Sequence, residues 1–194
     1  MNLLLGGGMV PGSSILLAGP PGAGKSTLLL QVLKSMNRKA LYVSGEESVE
    51  QLKLRADRLA IISENILLLF ESETEKVIGH AIELKATIVV IDSIQAIYTS
   101  LSDALSGSAT QIRKCLFLLR RAAHDYQFVL VIIGQVTKGS KSAGPRALEH
   151  AVDVVLHLAT EMNDNRLLYA VKNRYGSTEH RCTLLMKPNG LEFT

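Results

Sequence analysis

The sequence is poor in cysteine. Cys115 and Cys182 are the only two among 194 residues, and neither belongs to a paired motif. That excludes a disulfide scaffold and a cysteine zinc site, and it predicts a reducing, cytoplasmic compartment. Tryptophan is absent and aromatics make up 5% of the chain. Long apolar runs are also missing. Ile66–Phe70, Ile88–Ile91 and Phe128–Gly134 are strand-sized, far short of the ~20 residues a bilayer requires, so no membrane partner is expected. No basic region marks a signal peptide, because Met1–Leu5 runs directly into Gly6-Gly7-Gly8. Nor does one sign of charge dominate: a formal net charge of +3 permits contact with a polyanion without demanding it.

What is present is a core. With 47% hydrophobic residues the chain is predicted to fold as one domain over 1–194, without repeats or a separating linker. Ser14–Ala18, Ala40–Val43, Ile66–Phe70, Thr87–Ile91 and Phe128–Gly134 read as buried strands, being continuous apolar runs of strand length. Between them, Lys25–Met36, Ser48–Ala60, Glu73–Lys85 and Ser108–Tyr126 read as helices. In the second helix, Val49, Leu52, Arg55, Ala56 and Leu59 form one stripe. Such alternation predicts an α/β fold with a mostly parallel sheet flanked by helices. Asp153–Leu158, Arg166–Lys172 and Arg181–Met186 then follow as three strands in succession, predicting antiparallel strands at the C-terminal edge.

Gly19-Pro20-Pro21-Gly22-Ala23-Gly24-Lys25-Ser26 fits G-x-x-x-x-G-K-[ST] without a gap, between a predicted strand and a predicted helix. Glycines at 19, 22 and 24 let successive N–H groups converge on phosphate oxygens, and the helix dipole adds positive potential there. Lys25 is expected on the β- and γ-phosphates and the Ser26 hydroxyl on Mg²⁺. Thr27 either supports the turn or approaches the α-phosphate. The run Thr87–Ile91 ends in Asp92, at the carboxyl end of a strand, where a carboxylate can hold Mg²⁺ through water. The implied ligands are thus ATP and Mg²⁺. Ser44-Gly45-Glu46-Glu47-Ser48 brings two carboxylates to the same sheet edge. Glu46 is expected to activate water, and Glu47 to favour the following helix N-terminus. Gln135 closes the last parallel strand and is placed to hydrogen-bond the γ-phosphate or the water.

With these residues assembled, the chain resembles the ATPase core of the bacterial RadA (Sms) proteins, relatives of RecA and DnaB. The resemblance rests on Gly6–Ser13, Leu41–Ser48, Val90–Gln95 and Ala143–His150, and above all on Lys172-Asn173-Arg174-Tyr175-Gly176. The last is similar to that family's Lys-Asn-Arg-Phe-Gly element, with Tyr for Phe. Gln135 stands where the family usually has His. The family also carries a four-cysteine zinc module and a protease-like domain, and neither motif occurs in these 194 residues.

The resemblance implies a RecA-like P-loop core and a ring, expected as a hexamer, or a filament of identical subunits. It implies ATP-driven binding or movement on single-stranded DNA, in recombination and repair, of the branch-migration kind. It also implies that Lys172 and Arg174 reach across a subunit boundary to a neighbour's ATP. By themselves the residues leave a solvated basic strand end as the alternative. Lys138, Lys141 and Arg146 lie in a loop just past Gln135, and in the family's relatives the corresponding loop faces a central channel. There they would track DNA phosphates, with an ordinary solvent loop as the alternative. Tyr98–Gly107 is a second candidate channel loop, expected to be disordered without DNA. A KaiC-like assembly or signalling ATPase, with a protein partner and no DNA movement, is the alternative function. Glu149, Asp153 and His157 recur at spacing four, but a strand over Asp153–Leu158 breaks metal geometry.

Overall fold

In the computed structural model, residues 3–135, 145–161 and 165–194 are described. Strand and helix alternate through β1 (Ser14–Gly19), α1 (Lys25–Met36), β2 (Ala40–Ser44), α2 (Val49–Arg58), β3 (Ile66–Phe70) and α3 (Thr74–Glu83). Next come β4 (Ile88–Asp92), α4 (Ala109–Tyr126), β5 (Val129–Gln135) and α5 (Pro145–Ala151), then β6 (Val154–Thr160), β7 (Asn165–Asn173), β8 (Arg181–Lys187) and β9 (Gly190–Phe193). They form one sheet in the order β3-β2-β4-β5-β1-β6-β7-β8-β9. The first six strands in that order pair in parallel and the last three join antiparallel. The predicted α/β class and antiparallel C-terminal edge are thus observed.

Alternation along each strand divides the core into two layers. Ile15 and Leu17, Ile88 and Val90, and Val131 and Ile133 pack with α1 and α2 through Leu29, Leu33, Leu52 and Ala56. Leu16 and Ala18, Val89 and Ile91, and Leu130 and Ile132 pack with α3 and α4 through Val77, Ala81, Leu116 and Leu119. Strands apolar on both faces need a helix on each side, which is why these runs carry no polar alternation.

Three expectations are corrected here. The strand Ile66–Phe70 lies at the sheet edge, with Leu67 41% and Phe70 52% exposed, so it is not fully buried. Val49 leaves the apolar stripe of α2 and is 42% exposed. The helix starts at Ser48, whose hydroxyl accepts from the Gln51 N–H while the Gln51 side chain accepts from the Ser48 N–H. This reciprocal cap satisfies the helix start without Glu47. In addition, Tyr98 is held rather than loose, because its carbonyl accepts from both the N–H and the hydroxyl of Thr74. Among the described residues no helix is long and apolar enough to cross a membrane.

Candidate nucleotide site

Because the central strands are parallel, their carboxyl ends share one edge of the sheet, and the loops leaving them meet there. Register brings Gly19 beside Gln135 and Ser44 beside Asp92. A cleft of about 410 Å³ opens at this edge, lined by Pro21, Gly22, Gly24, Lys25, Ser26 and Thr27 of the β1–α1 turn. Glu46, Glu47, Asp92 and Gln135 line it from the ends of β2, β4 and β5. Four separate stretches of sequence therefore converge on one cavity.

The turn needs its glycines. Gly24, the residue before α1, has φ +99, a region closed to most side chains, and a Cβ there would also meet Met186 Cε at 2.6 Å. A Cβ at Gly19 would meet the Leu158 carbonyl oxygen at 2.4 Å. Lys25 is 6% exposed, and its Nζ donates to the Gly19 and Pro20 carbonyls, each at 2.8 Å. Burial lowers its pKa, and the charge of Asp92 opposes that shift. The ammonium thus lies folded onto the turn that brackets the cleft.

Two supports were invisible in the sequence. Tyr42 is fully buried in β2, and its hydroxyl donates to Asp92 Oδ2 at 2.5 Å. Tyr42 pairs with Val90, so it reaches Asp92 diagonally on the same sheet face. Burial, then the Asp92 charge and this hydrogen bond, hold the phenol well above its ordinary pKa. Glu46 Oε1 accepts from the Ser93 hydroxyl at 3.0 Å, which ties its carboxylate to the residue after Asp92. Glu47 forms an ion pair with Arg55 of α2. The hydrogen-bonded cap at that helix start comes from Ser48 and Gln51. Arg55 and Arg58 also line the cleft. Their signal was present as two arginines three apart on a helix leaving the Glu46 turn.

Lys172 and Arg174 lie elsewhere. Asn173 pairs with Val154, and Val154 with Ile15, so the end of β7 sits beside the start of β1. The cleft lies at the other end of that strand, about 17 Å away for six extended residues. Lys172 Nζ donates to the carbonyls of Glu149, His150 and Val152, at 3.0, 3.1 and 2.6 Å, closing the C-terminal end of α5. Its pKa is lowered by burial and by neighbouring Arg174. Arg174 Nη1 lies 3.1 Å from Asp153 Oδ1. Neither cation is brought to the cleft of its own chain.

The expected DNA contacts fall outside the described residues. Lys138 and Lys141 belong to 136–144, and nothing of the Arg146 side chain is described. Of the candidate metal trio, Asp153 turns to the arginines, while His157 Nε2 lies 3.4 Å from Glu149 Oε1. Among the described residues no three His, Cys, Asp or Glu side chains gather as a metal site.

A parallel sheet whose central strand enters a phosphate-type loop, with a carboxylate ending the strand two places away, defines a RecA-like P-loop core. The chain matches the family model described as "AAA domain" over residues 1–141, and it belongs to that family. It is 47% identical over 195 residues to the DNA repair protein RadA of Listeria monocytogenes, covering 98% of this chain and 43% of the relative. It is 45% identical over 196 residues to the RadA of Halalkalibacterium halodurans, covering 99% and 43%. The chain therefore spans less than half the length of these relatives. Among solved structures, the RadB recombinase superposes with TM-score 0.72 at 24% identity, covering 100% of this chain and 96% of that one. A KaiC-like protein from Pyrococcus horikoshii gives 0.78 at 19%, covering 100% and 94%. These two likenesses show the fold.

Proposed function

We propose that the chain is an ATP-hydrolysing domain, single over 1–194, that acts as a homo-oligomer on single-stranded DNA in recombination and repair. The observation that carries this reading is the division of parts: a cleft with a lysine and carboxylates at one sheet edge, and Arg174 at the opposite edge. On this reading the site is completed by Arg174 of a second copy, and a head-to-tail contact of this kind closes into a ring or extends as a filament. The similarity to proteins named DNA repair protein RadA supports the DNA partner. A hexamer, a channel contact through Lys138, Lys141 and Arg146, and movement of branched DNA belong to the same proposal.

The chemistry follows from the cleft. Gly19–Ser26 would wrap the triphosphate with backbone N–H groups while Thr27 supports the turn. Lys25 would exchange its two carbonyl partners for β- and γ-phosphate oxygens. The Ser26 hydroxyl and Asp92 carboxylate are hard oxygen donors lining one cleft, a set that fits Mg²⁺. Held there, the ion would neutralise charge on the β- and γ-oxygens. Glu46 would take a proton from water as its oxygen attacks the γ-phosphorus, the bond to the bridging oxygen breaks, and ADP leaves. Gln135 would orient that water or the γ-phosphate. Lys172 and Arg174 of a neighbouring copy would stabilise the developing charge, Lys172 only after releasing the α5 carbonyls.

Tyr42→Phe tests the metal arrangement. It removes one oxygen from a packed ring and leaves Asp92 without its donor. The expected result is an unchanged fold and an about tenfold higher Mg²⁺ concentration for half-maximal turnover. A Mg²⁺ titration indistinguishable from the parent would separate Tyr42 from the metal.

The function itself is tested by ATP turnover with and without single-stranded DNA, alongside the mass of the assembly. Turnover should rise several-fold with DNA, and DNA binding should weaken steeply with salt. Turnover indifferent to DNA, with nucleotide alone driving assembly, would instead support the assembly or signalling reading.

A further inference from the structure

We propose that Asp153 is a positioning residue for the trans-acting arginine, holding Arg174 and Arg120 as a preset guanidinium pair at the edge of the sheet. The proposal rests on the reading that Arg174 acts on a neighbour's nucleotide.

Asp153 directly precedes β6 and is 7% exposed, among the most buried carboxylates described. Its two oxygens have separate tasks. Oδ2 accepts from the Ser14 N–H at 2.9 Å and from the Ser14 hydroxyl at 2.6 Å, which locks the carboxylate onto the start of β1. Oδ1 faces Arg174 Nη1 at 3.1 Å and Arg120 Nη2 at 4.0 Å. Arg120 is fixed a second time, because its Nε donates to the Ser14 hydroxyl at 3.2 Å. The backbone repeats the bracing: the Asp153 N–H donates to the Ser14 carbonyl, and the Arg174 N–H to the Asp153 carbonyl.

The balance of charge points outward. Two guanidinium groups share one carboxylate, and Lys172 adds a third cation close by. The Arg174 side chain remains 56% exposed while Asp153 lies beneath it at 11%. One edge of the Arg174 guanidinium is therefore anchored, and its other donors face outward. Arginine gains most as a phosphate ligand when its flexible stem is already ordered, because the ordering need not occur during the reaction. An ion pair serving stability alone would have no need of a second arginine left half-exposed on the same carboxylate.

Asp153→Asn keeps the shape and an oxygen for Ser14 but removes the charge that holds both arginines. Its kcat should fall about 10- to 100-fold with nucleotide KM within about twofold, the pattern of a displaced group felt only in the transition state. The double variant with Arg174→Ala should be no slower than Arg174→Ala alone, since Asp153 acts through that arginine. Mixing Asp153→Asn subunits with Glu46→Gln subunits should recover turnover, because the latter supply intact arginines to the former's clefts. A merely misfolded variant would gain nothing from such mixing.

Full kcat in Asp153→Asn, with Arg174→Ala inactive, overturns the positioning role. So does a further loss in the double variant. Full turnover in Arg174→Ala overturns instead the reading beneath it. Should Asp153→Asn fail to fold, Ser14→Ala removes one Oδ2 donor and the Arg120 anchor, and the same outcomes decide.

Discussion

Lys25→Ala should weaken nucleotide binding by about 100-fold or more while leaving the unliganded fold intact. Alanine is the best former of the helix that begins at this position, so α1 is not put at risk. The ammonium is the cation built into the loop itself, since Arg55 is engaged by Glu47 and Arg58 sits at the exposed rim of the cleft. Charge-assisted hydrogen bonds to phosphate contribute about 1.5–3 kcal/mol each, so losing two weakens binding by about 100-fold or more. Stability moves little, because burial already disfavours the charged form of Lys25 in the free protein. Titration with a fluorescent ATP analogue, run beside thermal unfolding without nucleotide, gives both readings. Parent-like affinity in the variant would remove Lys25 from the phosphate site.

Arg174→Ala is expected to show the opposite signature: nucleotide affinity should be retained and turnover should fall about 10³-fold, the scale of a lost arginine finger. The reason is distance. Within one chain Arg174 stands at the start of β1 and the phosphate loop at its end, so a substitution at the former leaves the latter untouched. Mixing it with Glu46→Gln makes the argument decisive. Neither variant turns over alone, but a contact between an Arg174→Ala cleft and a Glu46→Gln neighbour contains every group. Random equal mixing makes about one quarter of the contacts complete, so turnover should return towards that fraction. Mixed assemblies of confirmed composition that stay inactive would count against action across the boundary.

Much of the fold was legible because burial on both faces imprints itself on sequence. The runs of β1, β2, β4 and β5 needed no partner information, and their boundaries agree within a residue or two. Gly19–Ser26 was legible for a different reason, being contiguous and flanked by the right elements. β9 was missed, although Asn189-Gly190 ahead of an apolar–acidic alternation is a recognised hairpin signal. α5 went unassigned because seven residues carry too little periodicity to register. The edge position of β3 could not be read at all, since Ile66–Phe70 is as apolar as the interior strands.

The supporting contacts were illegible on principle. Tyr42 and Asp92 are 50 positions apart, and Ser14 and Asp153 are 139 apart. A tyrosine inside an apolar run reads as core, and Asp153 reads as the first residue of a strand. Only their placement gives them partners. Lys172 shows the same limit, for its three carbonyl acceptors belong to the end of a helix the sequence did not announce.

By itself the sequence determined the strand and helix succession as far as β5, the phosphate loop and the acidic ends of β2 and β4. Each of these is a local pattern of polarity or backbone freedom, written within a few consecutive residues. The tertiary structure alone decided the order of strands, and with it which loops share a cleft and which basic residues stand at the far edge. Strand order is fixed by which apolar faces can be covered together and by the crossover each helix allows, and no short window of residues holds that information.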